Sequence, residues 1–375
     1  MKRVEDLKVC VVCDWITVFS GAEKVLQEII YLFPKADLFA LVDFYEGDRG
    51  FLAGKRAETS FLQKMPGAKK RYRNYLPLMP LAIEQFDLAH YDLVISSSHA
   101  VAKGVITGPD QLHVSYIHSP IRYAWDLQNQ YLRESGLNKG FKGFLAKVVL
   151  HYMRSFDVRS SNGVDYFIAN SKFIARRIKK FYRRQSEVIY PPVDVSDFKV
   201  VEDKDEYYVT ASRIVPYKRM DLIVDAFKEL PDKQLIVIGG GPGYEDLFAS
   251  AEGFDNIKVL GYLPFVELRS YLERARAFIF AAEEDFGIAP VEAQACGTPV
   301  IAYGKGGVLE TVIEYETGMF FHSQSAEAIR ESVLRFESDS GGIRPEKCRA
   351  QAERFSPEIF RQQFRSTIIE QLRTG

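Results

Sequence analysis

A chain of 375 residues is too long for one ordinary hydrophobic core, so two domains are expected. Its 47% apolar and 26% charged residues are those of a soluble globular protein, and no stretch is apolar for the roughly 18 residues a membrane span needs. The net charge of −1 hides a division: residues 1–192 hold 28 basic and 19 acidic side chains, residues 193–375 hold 21 and 31.

At the start, Glu5 and Asp6 follow Met1-Lys2-Arg3, and the apolar run Val9–Cys13 is too short for a secretory signal, so a cytoplasmic location is expected. In the first half, strands are predicted at Lys8–Cys13, Leu38–Val42, Asp92–Ser96, His113–Ile117, Tyr166–Ala169 and Glu187–Tyr190, with a helix over Ala22–Phe33. Pro191-Pro192 and an acidic stretch up to Glu206 then read as a linker. Strands resume at Tyr207–Ala211, Gln234–Ile238, Ile257–Leu260, Ala277–Ala281, Pro299–Ala302 and Met319–Phe321. Helices separate them at Lys218–Leu230, Tyr244–Ala251, Phe265–Arg274, Ile288–Cys296 and Ala326–Phe336, and Pro357–Leu372 reads as a final helix. Strand–helix repetition implies parallel sheets covered on both faces. The expected fold is α/β, with two doubly wound domains facing a cleft: residues 1–192, residues 193–355, and a terminal helix over 356–375.

The unusual polar residues and glycine turns follow strands, which in open α/β sheets is the ligand-binding edge. Most informative is Phe278–Ile301, where a strand meets Glu283 and Glu284, then the turn Asp285-Phe286-Gly287, then a helix with Pro290 near its start and Gly297 past its end. A helix N-terminus with its unpaired N–H groups suits a phosphate, and Glu284 and Glu292 would flank it with acceptors for hydroxyl groups. Arg213 and Lys218 add a guanidinium fork and a point charge, a pair suited to two phosphates. Gly21 opens the first helix and can bring backbone N–H groups close to an anion. His118 closes an apolar strand at the same edge, a setting that His90, His99, His113, His151 and His322 do not share.

Other patterns are weaker. The run Gly239-Gly240-Gly241-Pro242-Gly243 lacks the dinucleotide spacing, because Tyr244 stands where a glycine is needed, and no P-loop is present. Cys10 and Cys13 have a metal-pair spacing, yet strand geometry turns them to opposite faces, so with Cys296 and Cys348 they read as core thiols. Asp203-Lys204-Asp205 imitates a metal motif but precedes a strand, and reads as solvated charge; no metal site is expected. Two basic runs, Lys64–Tyr75 and Lys172–Arg184, are solvated helix faces by default. Interleaved Tyr, Phe and Leu raise an anionic membrane surface as a partner. No nucleic-acid-binding signature accompanies the charge.

Together these residues resemble retaining glycosyltransferase family 4, of the two-domain GT-B fold, over essentially the whole chain. The resemblance rests on Ser20-Gly21-Ala22, His118-Ser119-Pro120, Asn170-Ser171-Lys172-Phe173, Tyr190-Pro191-Pro192-Val193-Asp194, Arg213 with Lys218, Gly239 to Pro242, the Glu284 and Glu292 pair, and Gly297-Thr298-Pro299-Val300. Ser20 departs from the family, which often has glycine there. The wording at Leu76–Pro80, Ser96–Ala100 and His118–Asp126 is similar to bacterial O-antigen and exopolysaccharide mannosyltransferases.

The resemblance implies mannose transfer from GDP-mannose to a lipid-linked glycan, without a cofactor or metal, at the inner face of the cell membrane. It assigns the diphosphate to Arg213 and Lys218, the ribose to Glu292, and the base to backbone near Tyr262 and Leu263. The transferred sugar falls to Glu284 and the backbone of Phe286, Gly287 and Ile288. Gly21 would touch phosphate from the other domain, and His118 would lie near the reacting face of the sugar. Another donor such as UDP-glucose, or a GT-B-like nucleotide-sugar epimerase, remains open at this point.

Overall fold

The computed structural model describes residues 6–339 and 342–374. Met1–Glu5, on which the signal expectation partly rests, lie outside them. The chain folds as two compact units, one of residues up to Pro192 together with Glu358 onward, the other of Val193–Pro357.

The first unit is built on seven parallel strands: β1 (Val9–Ile16), β2 (Asp37–Asp43), β3 (Glu58–Thr59), β4 (Leu93–Ser98), β5 (Leu112–Ile117), β6 (Tyr166–Ala169) and β7 (Glu187–Val188). Their order is β3-β2-β1-β4-β5-β6-β7, with β1 an interior strand paired to β2 on one side and β4 on the other. Both faces of β1 are covered, as its near-continuous apolar run requires. Cys10 joins the core around Val12 and Phe39, whereas Cys13 joins the opposite one around Val11 and Ile29. All four cysteines are buried free thiols, and burial pushes them up, Cys348 to about 12.

The second unit holds six parallel strands: β8 (Tyr207–Ala211), β9 (Gln234–Ile238), β10 (Ile257–Gly261), β11 (Ala277–Phe280), β12 (Val300–Tyr303) and β13 (Gly318–Phe321). Their order, β10-β9-β8-β11-β12-β13, is that of a doubly wound sheet. One core packs helices Met220–Lys228 and Ala326–Asp339 onto it through Val224, Phe227, Val333 and Phe336.

The helix Pro357–Thr374 returns to the first unit. Phe360, Phe364 and Ile368 are buried with Ile16, Val25 and Tyr116, and the Arg361 guanidinium donates to Glu28 at 2.7 Å. A helix over Gly140–Ser160, unforeseen in the sequence, packs Leu150, Met153 and Phe156 into the first unit's other core. Among the described residues no helix is long and apolar enough to cross a membrane.

Candidate functional site

In the second unit the direction of winding reverses between β8 and β11, so their carboxyl ends part and leave room for a ligand. Arg213 follows β8 and is exposed. Lys218 ends the short turn Pro216–Lys218 before helix Met220–Lys228. Glu284 follows β11, and its carboxylate accepts from the Lys218 ammonium across the switch point. Both side chains are largely shielded, at 14% and 18% exposure, which strengthens the pairing over a surface ion pair.

Two glycine turns hold these residues. Gly239 (φ +149°) lies so close to the preceding segment that a Cβ would stand 1.8 Å from the Ser212 carbonyl oxygen, and Ile214 N–H donates to Gly240 at 2.9 Å. The glycine run that failed as a dinucleotide fingerprint therefore supports the Arg213 turn. On the other flank Gly306 (φ +85°) pairs with Glu284, where a Cβ would meet the Glu284 carbonyl at 2.4 Å, and Gly307 N–H donates to it at 2.8 Å. Sequence reading missed Gly306 and Gly307, although a glycine turn directly after β12 is the same signal used at β9.

The helix Ile288–Ala295 starts from left-handed Gly287 (φ +91°) and carries Glu292 half-buried on its second turn. Phe286 is buried against Phe355, ring centroids 5.4 Å apart, which fixes the approach to the helix. Ile288 remains partly exposed at its start. Beyond β10, Tyr262 is 81% exposed and Leu263 partly so, beside the Gly239–Gly240 turn. In sheet order the edge thus presents Tyr262, Gly239, Arg213, Glu284 and Gly306 at successive strand ends.

The first unit has its own switch point, between β1 and β4. Asp14 of β1 is fully buried and accepts four backbone N–H groups, from His99, Ala100, Val101 and Ala102, at 2.6–2.9 Å. That cradle fixes the turn after β4 and sets His99 Nδ1 3.2 Å from the carboxylate. His99 also meets the Trp15 ring edge-on at 4.5 Å and His118 at 6.2 Å. Contrary to the expectation from sequence, His99 shares the strand-end setting of His118: β4 runs to Ser98, beyond the predicted Ser96, so His99 directly follows it and Asp14 holds its backbone N–H.

His118 follows β5, where its backbone N–H donates to Ser98 and its carbonyl accepts from Asn170 Nδ2, both at 2.9 Å. Its Nε2 lies 2.8 Å from Ser97 Oγ. Burial, and then neighbouring His99, push its imidazole down to about 3, so the ring is neutral near pH 7. His113 is structural, held by Ser96 and the Gly163 carbonyl and pushed by burial to about 4. Gly21 begins the helix Gly21–Leu32, and the buried Glu23 carboxylate accepts from the Ser20 N–H at 3.1 Å and hydroxyl at 2.8 Å. A small cavity between β1 and this helix is lined by Asp14, Trp15, Glu23, Ser97 and His99.

The segment Asp203–Asp205 is not merely solvated. Lys204 is pushed by burial to about 8 and donates to the Glu273 and Cys296 carbonyls and Thr298 Oγ1 at 2.7–2.9 Å. Asp205 forms two hydrogen bonds with Arg274, at the amino end of β8, away from the ligand edge. Among the described residues no group of three or more metal-ligating side chains assembles.

The two basic runs differ. Lys69, Lys70, Arg71 and Arg73 are exposed, with Lys69 paired to Glu46 and Arg73 over the Tyr72 ring at 5.3 Å. In the second run Arg177 is buried against Asp126, and Arg184 donates to the Ser161, Val164 and Asp165 carbonyls. Those two cations serve the fold and leave Lys172, Arg176, Lys179, Lys180 and Arg183 exposed.

Comparison with known proteins agrees with this architecture. The family model described as Glycosyltransferase Family 4 matches residues 19–197, and that described as Glycosyl transferases group 1 matches residues 194–355. An uncharacterized glycosyltransferase of Methanocaldococcus jannaschii is 27% identical over 48% of this chain and 52% of its own length. A GDP-mannose-dependent α-(1-6)-phosphatidylinositol monomannoside mannosyltransferase of Mycolicibacterium smegmatis is 33% identical over 33% of this chain and 37% of its own. The chain thus matches about half, or less, of the length of these curated relatives. Among solved structures, Anabaena HepE in complex with UDP-glucose superposes with a TM-score of 0.69 at 18% identity, covering 97% of this chain and 100% of that one. Sucrose-phosphate synthase from Thermosynechococcus elongatus gives 0.73 at 17% identity, covering 98% and 100%.

Proposed function

Because this chain belongs to glycosyltransferase family 4 and has the GT-B fold, we propose that it transfers mannose from GDP-mannose to a lipid-linked oligosaccharide in surface-polysaccharide synthesis. The transfer retains the anomeric configuration and uses no metal. The carrying observation is the meeting of Lys218 and Glu284 across the β8–β11 switch point, with Arg213 exposed beside them. A cation pair and a carboxylate at one edge suit the two ends of the bond that breaks, diphosphate on one side and sugar on the other.

As the sugar–phosphate bond lengthens, negative charge grows on the diphosphate, and Arg213, Lys218 and the N-terminus of helix Ile288–Ala295 stabilise it. Fixed cations thereby fill the role a divalent ion would have. Glu284 and the backbone at Phe286, Gly287 and Ile288 orient the sugar, Glu292 the ribose, and the backbone at Tyr262 and Leu263 the base. In the first unit, Gly21 offers backbone N–H groups to an anion and His118 is a neutral hydrogen-bonding group. The exposed cations at Lys69–Arg73 favour an anionic membrane surface, where a lipid-linked acceptor resides.

Mannose is supported by two GDP-mannose-dependent relatives, from Mycolicibacterium smegmatis and Corynebacterium glutamicum. UDP-glucose is the second donor to test, given the UDP-glucose complex of the HepE neighbour. Each labelled nucleotide sugar is incubated with the protein and extracted lipid acceptors, with and without EDTA. Label moving into lipid from GDP-mannose in EDTA supports the reading. Label from UDP-glucose alone reassigns the donor, a strict metal requirement sinks the charge argument, and no transfer from any nucleotide sugar sinks the transferase.

A further inference from the structure

The helix Gly140–Ser160 buries one side in the first unit and leaves the other uncovered. Leu150, Met153 and Phe156 point inward. Its single acid, Asp157, is fully buried, pairing with Lys103 and accepting from Trp125 Nε1 at 2.7 Å and Tyr182 Oη at 2.9 Å. The uncovered side carries Phe141 at 79% exposure, Phe144 at 64%, Leu145 at 53%, Val148 at 46% and Tyr152 at 45%. At about 100° per residue these five fall within one stripe roughly 100° wide. Lys142 lies along one border of the stripe and Lys147 along the other, both exposed.

Single exposed apolar residues are ordinary, but a continuous apolar stripe facing water marks an interaction surface. We infer that this stripe docks the first unit on an anionic lipid surface, with the helix lying in the plane of the interface. The five side chains span about 17 Å of helix, so they can bury in the headgroup–acyl boundary without crossing the bilayer. Lys142 and Lys147 would then stand at headgroup depth, where cations are attracted, and no exposed acid on the helix opposes them. Two lysines flanking a bare aromatic stripe form the pattern of a helix lying in a lipid interface, with its apolar face down and cations at headgroup depth. The inference extends the lipid-acceptor reading above but is tested without any acceptor.

Vesicles of phosphatidylcholine, alone or with phosphatidylglycerol, are sedimented with the intact chain. The wild type should pellet with the anionic vesicles, less so with neutral ones, and the Phe141→Ser, Phe144→Ser variant should partition at least about tenfold more weakly. Lys142→Glu with Lys147→Glu should abolish the preference for phosphatidylglycerol. Because all four side chains are exposed, circular dichroism and the thermal midpoint should match wild type. Transfer to detergent-dispersed acceptor should also be unchanged, while transfer to acceptor in vesicles should fall. Equal sedimentation of wild type and the serine variant would overturn the inference. So would a wild type that ignores vesicles and forms a dimer which the serine changes abolish, since the stripe would then belong to a second copy. Vesicle binding as expected with no sugar transfer would leave this inference standing and remove only the functional proposal.

Discussion

The Lys218–Glu284 ion pair joins two side chains assigned to different halves of one substrate. Arg213→Ala or Lys218→Ala should slow turnover about 100- to 1,000-fold, the cost of removing one stabiliser of developing charge, and weaken nucleoside-diphosphate binding. Rates near wild type for either variant would remove the proposed phosphate site. Glu284→Ala should abolish transfer yet leave bare diphosphate bound as well as before or better, because Lys218 loses its competing carboxylate. Glu292→Ala should weaken the bare nucleotide instead. Calorimetry separates them, and equal losses would show the roles are wrong. At this scale the ligand edge of the second unit was legible, because each residue follows its own strand. Asp14 and His99 were not, since their partnership depends on β1 and β4 lying side by side.

Buried His113 and half-buried His118 make acid stability a test of the packing. His113 at about 4 and His118 at about 3 sit below their usual 6.5, with burial as the main cause. Between those values the unfolded chain binds protons that the folded chain refuses, so stability rises with pH. Stability present above pH ~6.5 is therefore lost as the pH falls through that window towards 4 and then 3. Denaturant midpoints should drop between about pH 7 and pH 4.5, with a shallower slope in His113→Gln. The same slope in both proteins would mean His113 is not buried as described.

Among elements, the glycine turns are the least replaceable. Gly239→Ala meets the Ser212 carbonyl and forces a side chain into left-handed backbone. It should cost more than about 3 kcal/mol and lower the thermal midpoint, whereas Gly163→Ala, with open space around it, should be tolerated. Equal midpoints would show that the turn relaxes freely. The strands were legible because parallel strands buried on both faces read as short apolar runs between turn residues. The helix Gly140–Ser160 was not, because apolar side chains on its exposed side blur the usual one-faced pattern. In the second basic run, sequence could not show that Arg177 and Arg184 are spent on Asp126 and on loop carbonyls.

Across the whole molecule, the division at Pro192 coincides with the proline pair that read as a linker, but the terminal helix is not a separate appendage. Phe360, Phe364 and Ile368 belong to the first unit's core, and Thr367 Oγ1 donates to Glu187 at 2.8 Å. A first unit assembled from both ends of the sequence has a consequence for its synthesis. Chains usually fold in domains as they leave the ribosome, the N-terminal one first. Here the second unit has all its residues before the first does, since residues 193–357 emerge ahead of Phe360. The earlier-made sheet waits with an open seam until residues 358–374 arrive. Ribosome-bound chains halted so that residues up to Pro357 have emerged but Phe360, Phe364 and Ile368 have not should therefore yield a protease-resistant second unit and a digestible first one. Full protection of both at that length would show that the returning helix only decorates a unit already closed.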